Sequence, residues 1–391
     1  MAVNLTNADS ALKTYYLDAV AEQLNFNTNP FLSEIKQTTE DVWGKEVRKL
    51  AIHGVNGGIG AGTEDGSLPE AGGNNYAQFV TTLKNLYGAI EITDKAVRAS
   101  ENNAGAFVNL LNAEMEGLVK SSSYNLGRML FGDGSGTIAS VCGYASGIVL
   151  VDTPINIMEG MIIDFRDKDG NAIEGATRRK VLAIERTNKA MMISGSTLDA
   201  TIVPIGSLVT VQGSYNNELT GLGAIFNVEK ETLYGINRME NVWLNPYVVT
   251  DVGTITELKL QKALDAIEEN SGSSVNFIMC SWGVRRALQQ MLSTNKHIDT
   301  VELAGGYKAM SYNGIPIVVD RFCPEGTMYL LNTNDFVLHQ LCDWQWLEGD
   351  DGKVLKQIPG KPVYSATLVK YADLICSRPC GQGMLSGILE E

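Results

Sequence analysis

This chain of 391 residues has little of what marks a membrane protein, a secreted disulfide scaffold or a metalloenzyme. It has six cysteines and three histidines, and no apolar run approaches the roughly 20 residues that a membrane helix needs. Met1 to Pro30 lacks the charged start and apolar centre of a signal peptide. These absences predict a protein made and folded in a cytoplasm, with no membrane partner.

Metal-ligating patterns are scarce. The cysteines stand singly among apolar residues, where a small buried thiol is the ordinary interpretation, except for the close pair Cys376 and Cys380. That pair has no second pair and no nearby histidine, so it is a weak candidate for zinc. Asp167-Lys-Asp169-Gly170 could suggest calcium, but the further ligands of such a loop are missing, and an Asp-Gly hairpin turn explains it better. We predict no metal and no cofactor.

Catalytic motifs are also missing. His53, His297 and His339 have no accompanying motif of nucleophile, base and orienting acid. His339 lies in an apolar strand-like run, where a buried structural histidine is the more common case. The sequence therefore predicts a protein that is not an enzyme.

The charge balance is acidic. Formal net charge is −14, and the calculated isoelectric point is about 4.8. A surface of this sign does not attract nucleic acid or an anionic membrane. Any DNA near this protein must be held by something other than bulk electrostatic attraction.

What the chain does contain is a long glycine-rich excursion between two strand-like segments. Glu46–Ile52 and Tyr76–Leu83 can pair as an extended hairpin, and the tip between them is too rich in glycine to bury a core. The glycines of this region are Gly54, Gly57, Gly58, Gly60, Gly62, Gly66, Gly72 and Gly73. Loops this long are usually functional or disordered.

We interpret the glycine-rich segment as an arm that reaches out of its own subunit. Two other interpretations are weighed against this one. A phosphate-binding loop would need a following Gly-Lys-Ser or Gly-Lys-Thr and a helix, and the segment has neither. A surface loop without a partner remains open, because loops of this composition are often just that.

Periodicity indicates a short helix in the N-terminal arm, over Ala11–Leu24, and a much longer one over Glu101–Phe131. Ser100 is the predicted N-cap of the long helix, and Gly132-Asp133-Gly134 ends it. About thirty residues would span roughly 45 Å, so this helix can act as a spine. Its predicted buried stripe consists of Phe107, Leu111, Met115, Leu118, Ser122, Leu126 and Met129.

The segment from Gly147 to Asn217 changes character. Five short strand-like runs separated by turn signals predict a small antiparallel barrel or sandwich inserted into the parent fold. From Gly221 onward an α+β pattern returns, with helices over Thr256–Asn270 and after the N-cap Ser281. Strands follow at Ile315–Val319, Met328–Leu331 and Phe336–Leu341.

This order of parts resembles the major capsid protein of a tailed bacteriophage, of the Hong Kong 97 type. The most telling local match is Tyr312-Asn-Gly-Ile-Pro-Ile-Val-Val319, followed by Pro324-Glu-Gly-Thr-Met-Tyr-Leu-Leu331 and the pair Asp335-Phe336. It is similar to the family's Gly-x-Pro-Val-Val strand and the strand that returns after it. The chain departs from the pattern with Ile317 at the first valine and with a longer turn before Asp335.

The resemblance implies an α+β fold with an N-terminal arm, an extended loop, a peripheral domain that contains the spine helix, and an axial domain, here with an added all-β insertion domain. Gly314 and Pro316 would lie in an axial-domain strand. The implied boundaries are 1–45 for the arm, 46–88 for the extended loop, 89–146 for the peripheral domain, 147–217 for the barrel, 218–343 for a mainly axial domain and 344–391 for a return to the periphery.

The resemblance also implies a structural subunit that self-assembles through hexameric and pentameric capsomers into an icosahedral or prolate shell around double-stranded DNA, without sequence-specific binding. It places the mature protein in the virion. Expected partners are a portal protein, a separate scaffolding protein and possibly decoration proteins. Two alternatives stay open: an encapsulin-like cargo cage, and a cytoplasmic α+β enzyme with a glycine-rich lid.

Overall fold

The computed structural model describes residues 29–95, 104–145, 147–294, 299–302, 308–349, 352 and 354–390. The predicted N-terminal helix at Ala11–Leu24 and the predicted N-cap Ser100 lie outside these ranges. No helix within them is both long and apolar enough to cross a lipid bilayer. The helices in these ranges are α1 Pro30–Glu34, α2 Ala104–Phe131, α3 Leu222–Phe226, α4 Glu257–Ser271 and α5 Trp282–Thr294.

Twenty-three strands occur in the described residues, and most of them pair antiparallel. In chain order they are β1 Lys36–Thr38, β2 Val42–Trp43, β3 Glu46–His53, β4 Asn75–Thr82, β5 Lys84–Thr93, β6 Thr137–Ala145, β7 Ile148–Val151, β8 Ile162–Arg166, β9 Arg179–Glu185, β10 Ala190–Ile193, β11 Leu208–Val211, β12 Thr232–Leu233, β13 Ile236–Asn237, β14 Tyr247–Val249, β15 Phe277–Cys280, β16 Asp299–Glu302, β17 Lys308–Tyr312, β18 Ile315–Val319, β19 Met328–Leu331, β20 Phe336–Trp346, β21 Lys356–Gln357, β22 Val363–Cys376 and β23 Gly383–Leu385.

These strands form two main sheets, a closed barrel and the extended hairpin. The first sheet is built around the long strand β22, which pairs with β5, β20 and β21, while β1 extends it at the edge of β20. The second sheet has the order β14-β23-β19-β15-β18-β17-β16. The barrel closes in the order β10-β7-β6-β11-β8-β9. Strands β2, β3 and β4 form the hairpin sheet.

Helix α2 covers one face of the first sheet, as its apolar stripe predicts. Met115, Leu126 and Met129 are buried in the core beneath it, and Leu118 packs at the edge of that core. Gly88 on β5 lets the helix come close, because a Cβ there would lie 2.9 Å from a Leu118 methyl carbon. Phe107 lies in the part of α2 whose side chains the structure does not describe, and so does Leu111.

The second sheet is buried on both faces. Along β15, Phe277 and Met279 point into the core under α2, whereas Ile278 and Cys280 point into a second core against α4 and α5. The same alternation continues along β19. A strand covered on both sides shows a continuous apolar run, which is why the period-2 pattern is absent from these segments.

The barrel has its own core and one more strand than the five predicted. Ile163, Phe165, Val181 and Val209 are fully buried inside it. The additional strand, β6, comes directly after the end of α2 and pairs with the last barrel strand, β11. The barrel therefore begins about ten residues before the predicted boundary at 147. The sequence predicts the end of the helix at Gly132 but no strand between that point and Gly147.

The barrel enters and leaves the main body at one place, the C-terminal end of α2. Arg128 on the helix pairs with Glu218 on the returning segment, and one of their N–O distances is 2.9 Å. Both side chains are almost completely buried. A Cβ at Gly221 would overlap the carbonyl oxygens of Met129 and Leu130, so only glycine allows this close backbone approach.

A short turn after β18 joins the second sheet to α2. The Phe322 ring packs edge-to-face on Tyr124 of the helix, with the ring centroids 5.0 Å apart. In the same turn, Asp320 is buried; its Oδ1 accepts the Phe322 N–H at 2.9 Å, and its Oδ2 is buried without a hydrogen-bond partner in the described residues. Burial raises the pKa of Asp320 to about 6, against opposing effects of the Phe322 N–H and of Arg321.

The predicted boundaries differ from the sheets at two further points. Strand β20, residues 336–346, lies in the first sheet, although 218–343 was expected to be mainly axial. Strand β23, residues 383–385, falls within the predicted segment 344–391 and pairs with β14 and β19 in the second sheet. A three-residue strand that pairs with residues far away in sequence leaves no local periodicity to detect.

In a buried ion pair, removing one partner costs more stability than replacing both partners with apolar residues. We expect this of Arg128 and Glu218. Arg128→Met should lower the free energy of unfolding by about 3–5 kcal/mol, because it leaves the Glu218 carboxylate buried without its counter-charge. The double variant Arg128→Met/Glu218→Leu should recover most of that loss. Urea unfolding of the unassembled subunit measures both.

The exposed pair Arg48–Glu46 is the matched control for this prediction, since its N–O distance of 3.0 Å is similar but Arg48 is half exposed. Arg48→Met should change stability by less than about 1 kcal/mol. If Arg128→Met and Arg48→Met lowered the free energy of unfolding equally, this would contradict the conclusion that the Arg128–Glu218 pair holds the segment returning from the barrel against α2.

We expect Asp320 to make stability fall as pH rises. Its folded pKa of about 6 exceeds the ordinary value of 3.8, so the folded state binds the proton more tightly than the unfolded state does. The stabilisation is complete below about pH 4 and is lost as pH rises through 6. Asp320→Asn should therefore be more stable than wild type at pH 8, by up to about 3 kcal/mol, and should lose this advantage near pH 4.

Unfolding of wild type and Asp320→Asn at pH 4, 6 and 8 measures this difference directly. The comparison is made between variants because other buried groups also titrate. The exposed Asp169→Asn serves as the control and should leave the pH profile unchanged. A stability difference between Asp320→Asn and wild type that did not vary with pH would rule out titration at this position.

Candidate assembly surfaces

The extended hairpin is the part of the molecule that projects from the cores. Strands β3 and β4 pair antiparallel over eight residues each, from Glu46 opposite Thr82 to His53 opposite Asn75, as the sequence predicts. At about 3.3 Å per residue this ladder extends for roughly 26 Å. Gly54 starts the tip with a φ of +67°, a conformation that suits glycine.

One face of the hairpin packs on the chain's own body. Val47 and Phe79 are completely buried, and the Phe79 ring lies 5.4 Å from that of Tyr234. The His53 ring stacks on Trp243 with centroids 4.5 Å apart and planes almost parallel. The Val80 N–H also donates to the Tyr234 carbonyl at 2.9 Å. These contacts fix the direction in which the hairpin leaves the body.

The other face of the hairpin is apolar and exposed. Leu50, Ile52 and Tyr76 are each about 60% exposed, and Ile52 lies directly opposite Tyr76 across the two strands. Trp43 on β2 is 74% exposed. A ribbon with one face on its own core and an apolar outer face is typical of a surface that another protein covers.

Beyond the strands, every residue from 54 to 74 is exposed. The hydrogen bonds within this tip join its own residues: Asn56 donates to Asn74, and the Gly58 N–H donates to the Asn56 side chain at 2.9 Å. Gly58 and Gly72 approach each other so closely that a Cβ on either would overlap the other's backbone. The two sides of the tip are therefore held together at this point.

The remaining predicted glycines differ in how crowded they are. Gly57 and Gly73 have no atom within 4 Å of a Cβ built there, and Gly62 is nearly as open. Gly60 lies against Pro69, and Gly66 against Thr63. In this conformation, the φ of Gly54 and the close approach of the Gly58 and Gly72 backbones require glycine at these positions.

The base of the hairpin is tied to the first sheet by one buried carboxylate, Asp373 on β22. It accepts hydrogen bonds from the Thr81 hydroxyl, from the Thr220 N–H at 2.7 Å and hydroxyl at 3.1 Å, and from the Leu374 N–H at 3.0 Å. Burial raises the pKa of Asp373, and these hydrogen bonds oppose the rise. Asp373 thus links β4, the segment returning from the barrel and β22.

Sequence reasoning missed Asp373 and its neighbour Tyr234. The Tyr234 hydroxyl accepts the Cys376 N–H at 3.0 Å and donates to the Leu374 carbonyl, so this buried side chain ties the loop between β12 and β13 to β22. Apart from the Leu374 N–H that Asp373 accepts, these partners are far away in the chain, so no local pattern indicates the role of either residue. Burial of an aspartate inside an apolar strand run was the one available hint.

The predicted axial strand residues lie in the second sheet. Gly314 follows Asn313 in the turn between β17 and β18, and both have positive φ, at +81° and +50°. Pro316 lies opposite Ser311 of β17, and the pairing of β18 with β15 begins one residue later. The missing N–H of Pro316 therefore falls outside the β15–β18 pairing register.

The residues considered for chemistry occupy structural positions. The buried His339 ring contacts the Glu40 carbonyl through Nδ1, 3.1 Å away. Asp167 accepts backbone N–H groups from Asp169 and Asn171 in a turn. Cys376 and Cys380 are free thiols. Within the described ranges, no three His, Cys, Asp or Glu residues are grouped so as to hold a metal ion.

Residues 205–350 match the family model of the SU10 major capsid protein. Among solved structures, the chain is similar to the capsid protein in the asymmetric unit of cyanophage A-1(L), with a TM-score of 0.56, 12% identity, and coverage of 92% of this chain and 93% of that one. A search of curated protein sequences gives no significant match.

Two further structures are similar at lower scores. The capsid of Myoviridae phage XM1 gives a TM-score of 0.47 at 8% identity, covering 93% of this chain and 92% of that one. The holo-SrpI encapsulin complex from Synechococcus elongatus PCC 7942 gives 0.45 at 12% identity, covering 95% of each chain. Neither match discriminates between a phage shell and a cargo cage.

The chain has the Hong Kong 97-type capsid fold, and this confirms the predicted α+β class. The family match and the shared fold together support a structural, shell-forming protein rather than an enzyme. More particularly, the family match over residues 205–350 supports a major capsid protein.

We expect the Asp373 anchor to be a large contributor to subunit stability. Asp373→Leu should lower the free energy of unfolding by about 3–4 kcal/mol, because it removes the acceptor of the partly buried Thr81 hydroxyl, of both Thr220 donors and of the Leu374 N–H. Asp373→Asn keeps a carbonyl acceptor and should cost about 1 kcal/mol. The exposed Glu91→Gln on β5 is the control and should be nearly neutral. A loss for Asp373→Leu as small as the control's would show that the anchor is dispensable.

Proposed function

We propose that copies of this chain form hexameric and pentameric capsomers of an icosahedral or prolate phage head that encloses double-stranded DNA. The observation that carries this proposal is the extended hairpin. Its inner face is packed on the body, while its outer face and tip, from 54 to 76, are exposed. We assign this hairpin to the surface of a neighbouring subunit.

The two sheets correspond to the domains of such a subunit in this proposal. The first sheet with α2 would be the peripheral domain, and the second sheet with α4 and α5 the axial domain around the five-fold and six-fold axes. Many modest contacts between copies then add up over a closed surface. The mechanism is a matter of geometry and interface energy, without a reaction step.

The proposed relation to DNA is containment. A net charge of −14 does not favour binding along the wall, and no sequence-specific contact is needed to enclose DNA. A portal protein, a separate scaffolding protein and decoration proteins are the partners that this role would involve, with assembly in the cytoplasm of a bacterial host. The inserted barrel, with its separate core, is a candidate contact for decoration proteins or for neighbouring subunits.

An encapsulin-like cage is the second candidate, because the fold alone does not distinguish the two. Expression of the chain by itself, followed by sizing chromatography and negative-stain electron microscopy, tests both. Closed shells, tubes or capsomer rings would support assembly as the function. Shells that co-purify with an enzyme would favour the cargo cage, and a chain that stays monomeric under all conditions would contradict both.

We expect the tip to need its glycines for assembly more than for folding. Replacing Gly57, Gly58 and Gly60 together with proline should reduce shell formation strongly while leaving the unfolding midpoint of the subunit nearly unchanged, because the tip buries nothing. The proline at 58 also removes the N–H that donates to Asn56. Electron microscopy counts the shells, and circular dichroism follows unfolding.

Gly57→Ala/Gly73→Ala is the matched control for this triple variant, since both positions are open to a methyl group. It should assemble like wild type. Normal shells from the proline variant would show that the tip conformation does not matter for assembly.

A further inference from the structure

The tip of the hairpin combines negative charge with exposed apolar side chains. Between Lys49 and Lys84 the sequence contains no lysine or arginine, whereas the tip carries Glu64, Asp65 and Glu70. Val55, Ile59 and Leu68 lie among them and are 78–90% exposed. Any surface that covers this tip should therefore be apolar and rimmed by positive charge.

The outer wall of the barrel has that character where β8, β9 and β10 meet. Arg178, Arg179 and Lys180 form the longest run of consecutive cationic residues in the chain. Arg178 and Lys180 are exposed, while the Arg179 guanidinium is held by the Gly175 and Ser194 carbonyls. The exposed Lys180 side chain lies near the start of β9, where a partner can contact it.

Apolar side chains lie on the same wall. Ile162 on β8 lies directly opposite Lys180, and Met192 on β10 lies opposite Ala183. Ile162, Leu182 and Met192 are 40–50% exposed. Glu159 is the acidic neighbour, and its carboxylate accepts the Ile184 N–H at 3.2 Å. This wall, defined by Ile162, Arg178, Lys180, Leu182 and Met192, complements the tip in both charge and polarity.

We propose that the acidic hairpin tip of one subunit docks on the barrel wall of a second copy of this chain. Each subunit then gives its tip to one neighbour and receives a tip from another, which is a heterologous contact of the kind that closes into rings. The inference rests on the proposed function, because it needs subunits that assemble. It gives the inserted barrel a role as the receiving surface.

A charge-swap experiment on the full chain tests the docking. The tip variant Glu64→Lys/Asp65→Lys/Glu70→Lys should reduce the yield of shells and rings at least tenfold, and the wall variant Arg178→Glu/Lys180→Glu should do the same. The chain that carries all five changes should recover at least half of the wild-type yield, because opposite charges then face each other again. All five side chains are exposed, so folding should be retained, as circular dichroism checks.

The matched control is Glu229→Lys/Glu231→Lys/Glu240→Lys, which changes the net charge by the same amount at exposed positions outside the tip, the barrel and the second sheet with its helices. It should assemble like wild type. The neutral variant Glu64→Gln/Asp65→Asn/Glu70→Gln should have an intermediate yield, and wild-type assembly should weaken at 1 M salt more than assembly of the neutral variant does.

The outcomes separate this inference from the proposed function. Wild-type shells together with normal assembly of the tip variant would overturn the docking and leave the capsid role intact. If the tip variant, the wall variant and the variant with all five changes are all folded, but the last does not recover the yield of shells and rings, the proposed pairing is also overturned. A wild-type chain that forms no oligomer at all would overturn the proposed function and this inference with it.

Discussion

The structure depends most on the C-terminal end of helix α2, where the chain leaves the main body for the barrel and returns to it. An inserted domain needs its entry and exit side by side, and β6 and β11 satisfy this by pairing with each other. The buried Arg128–Glu218 pair and the close approach of Gly221 to the helix carbonyls hold the returning segment in place. Because both ends are fixed, the barrel can keep a separate core without disturbing the packing of the sheets.

The same helix brings the other parts of the subunit together. The first sheet packs under it, and the turn at Asp320–Cys323 carries the second sheet to it through Phe322. From this body the hairpin extends in a direction set by Asp373, Tyr234 and Trp243. A rigid body with one exposed, two-faced ribbon is suited to tiling a surface, since its own stability does not depend on what the ribbon touches.

The distribution of exposed apolar groups supports a protein that works through contacts between copies. The hairpin's outer face, its tip and the outer wall of the barrel expose large apolar side chains, whereas His339 and Cys376 are buried in structural positions. The acidic net charge does not favour binding of nucleic acid along the surface. These surfaces also explain why sequence motifs for catalysis or metal binding are missing.

The sequence by itself determined the local elements: the paired hairpin strands, the spine helix up to Phe131, the last five barrel strands, helices α4 and α5, and the order that resembles a capsid protein. These follow from periodicity, caps and turn residues, which act over a few neighbours along the chain. The tertiary structure alone decided that β6 joins the barrel, that β23 joins the second sheet, and that Asp373 and Tyr234 anchor the hairpin. The β11 partner of β6, the partners of β23 and most partners of Asp373 and Tyr234 lie far away in the chain, where local sequence patterns do not reach.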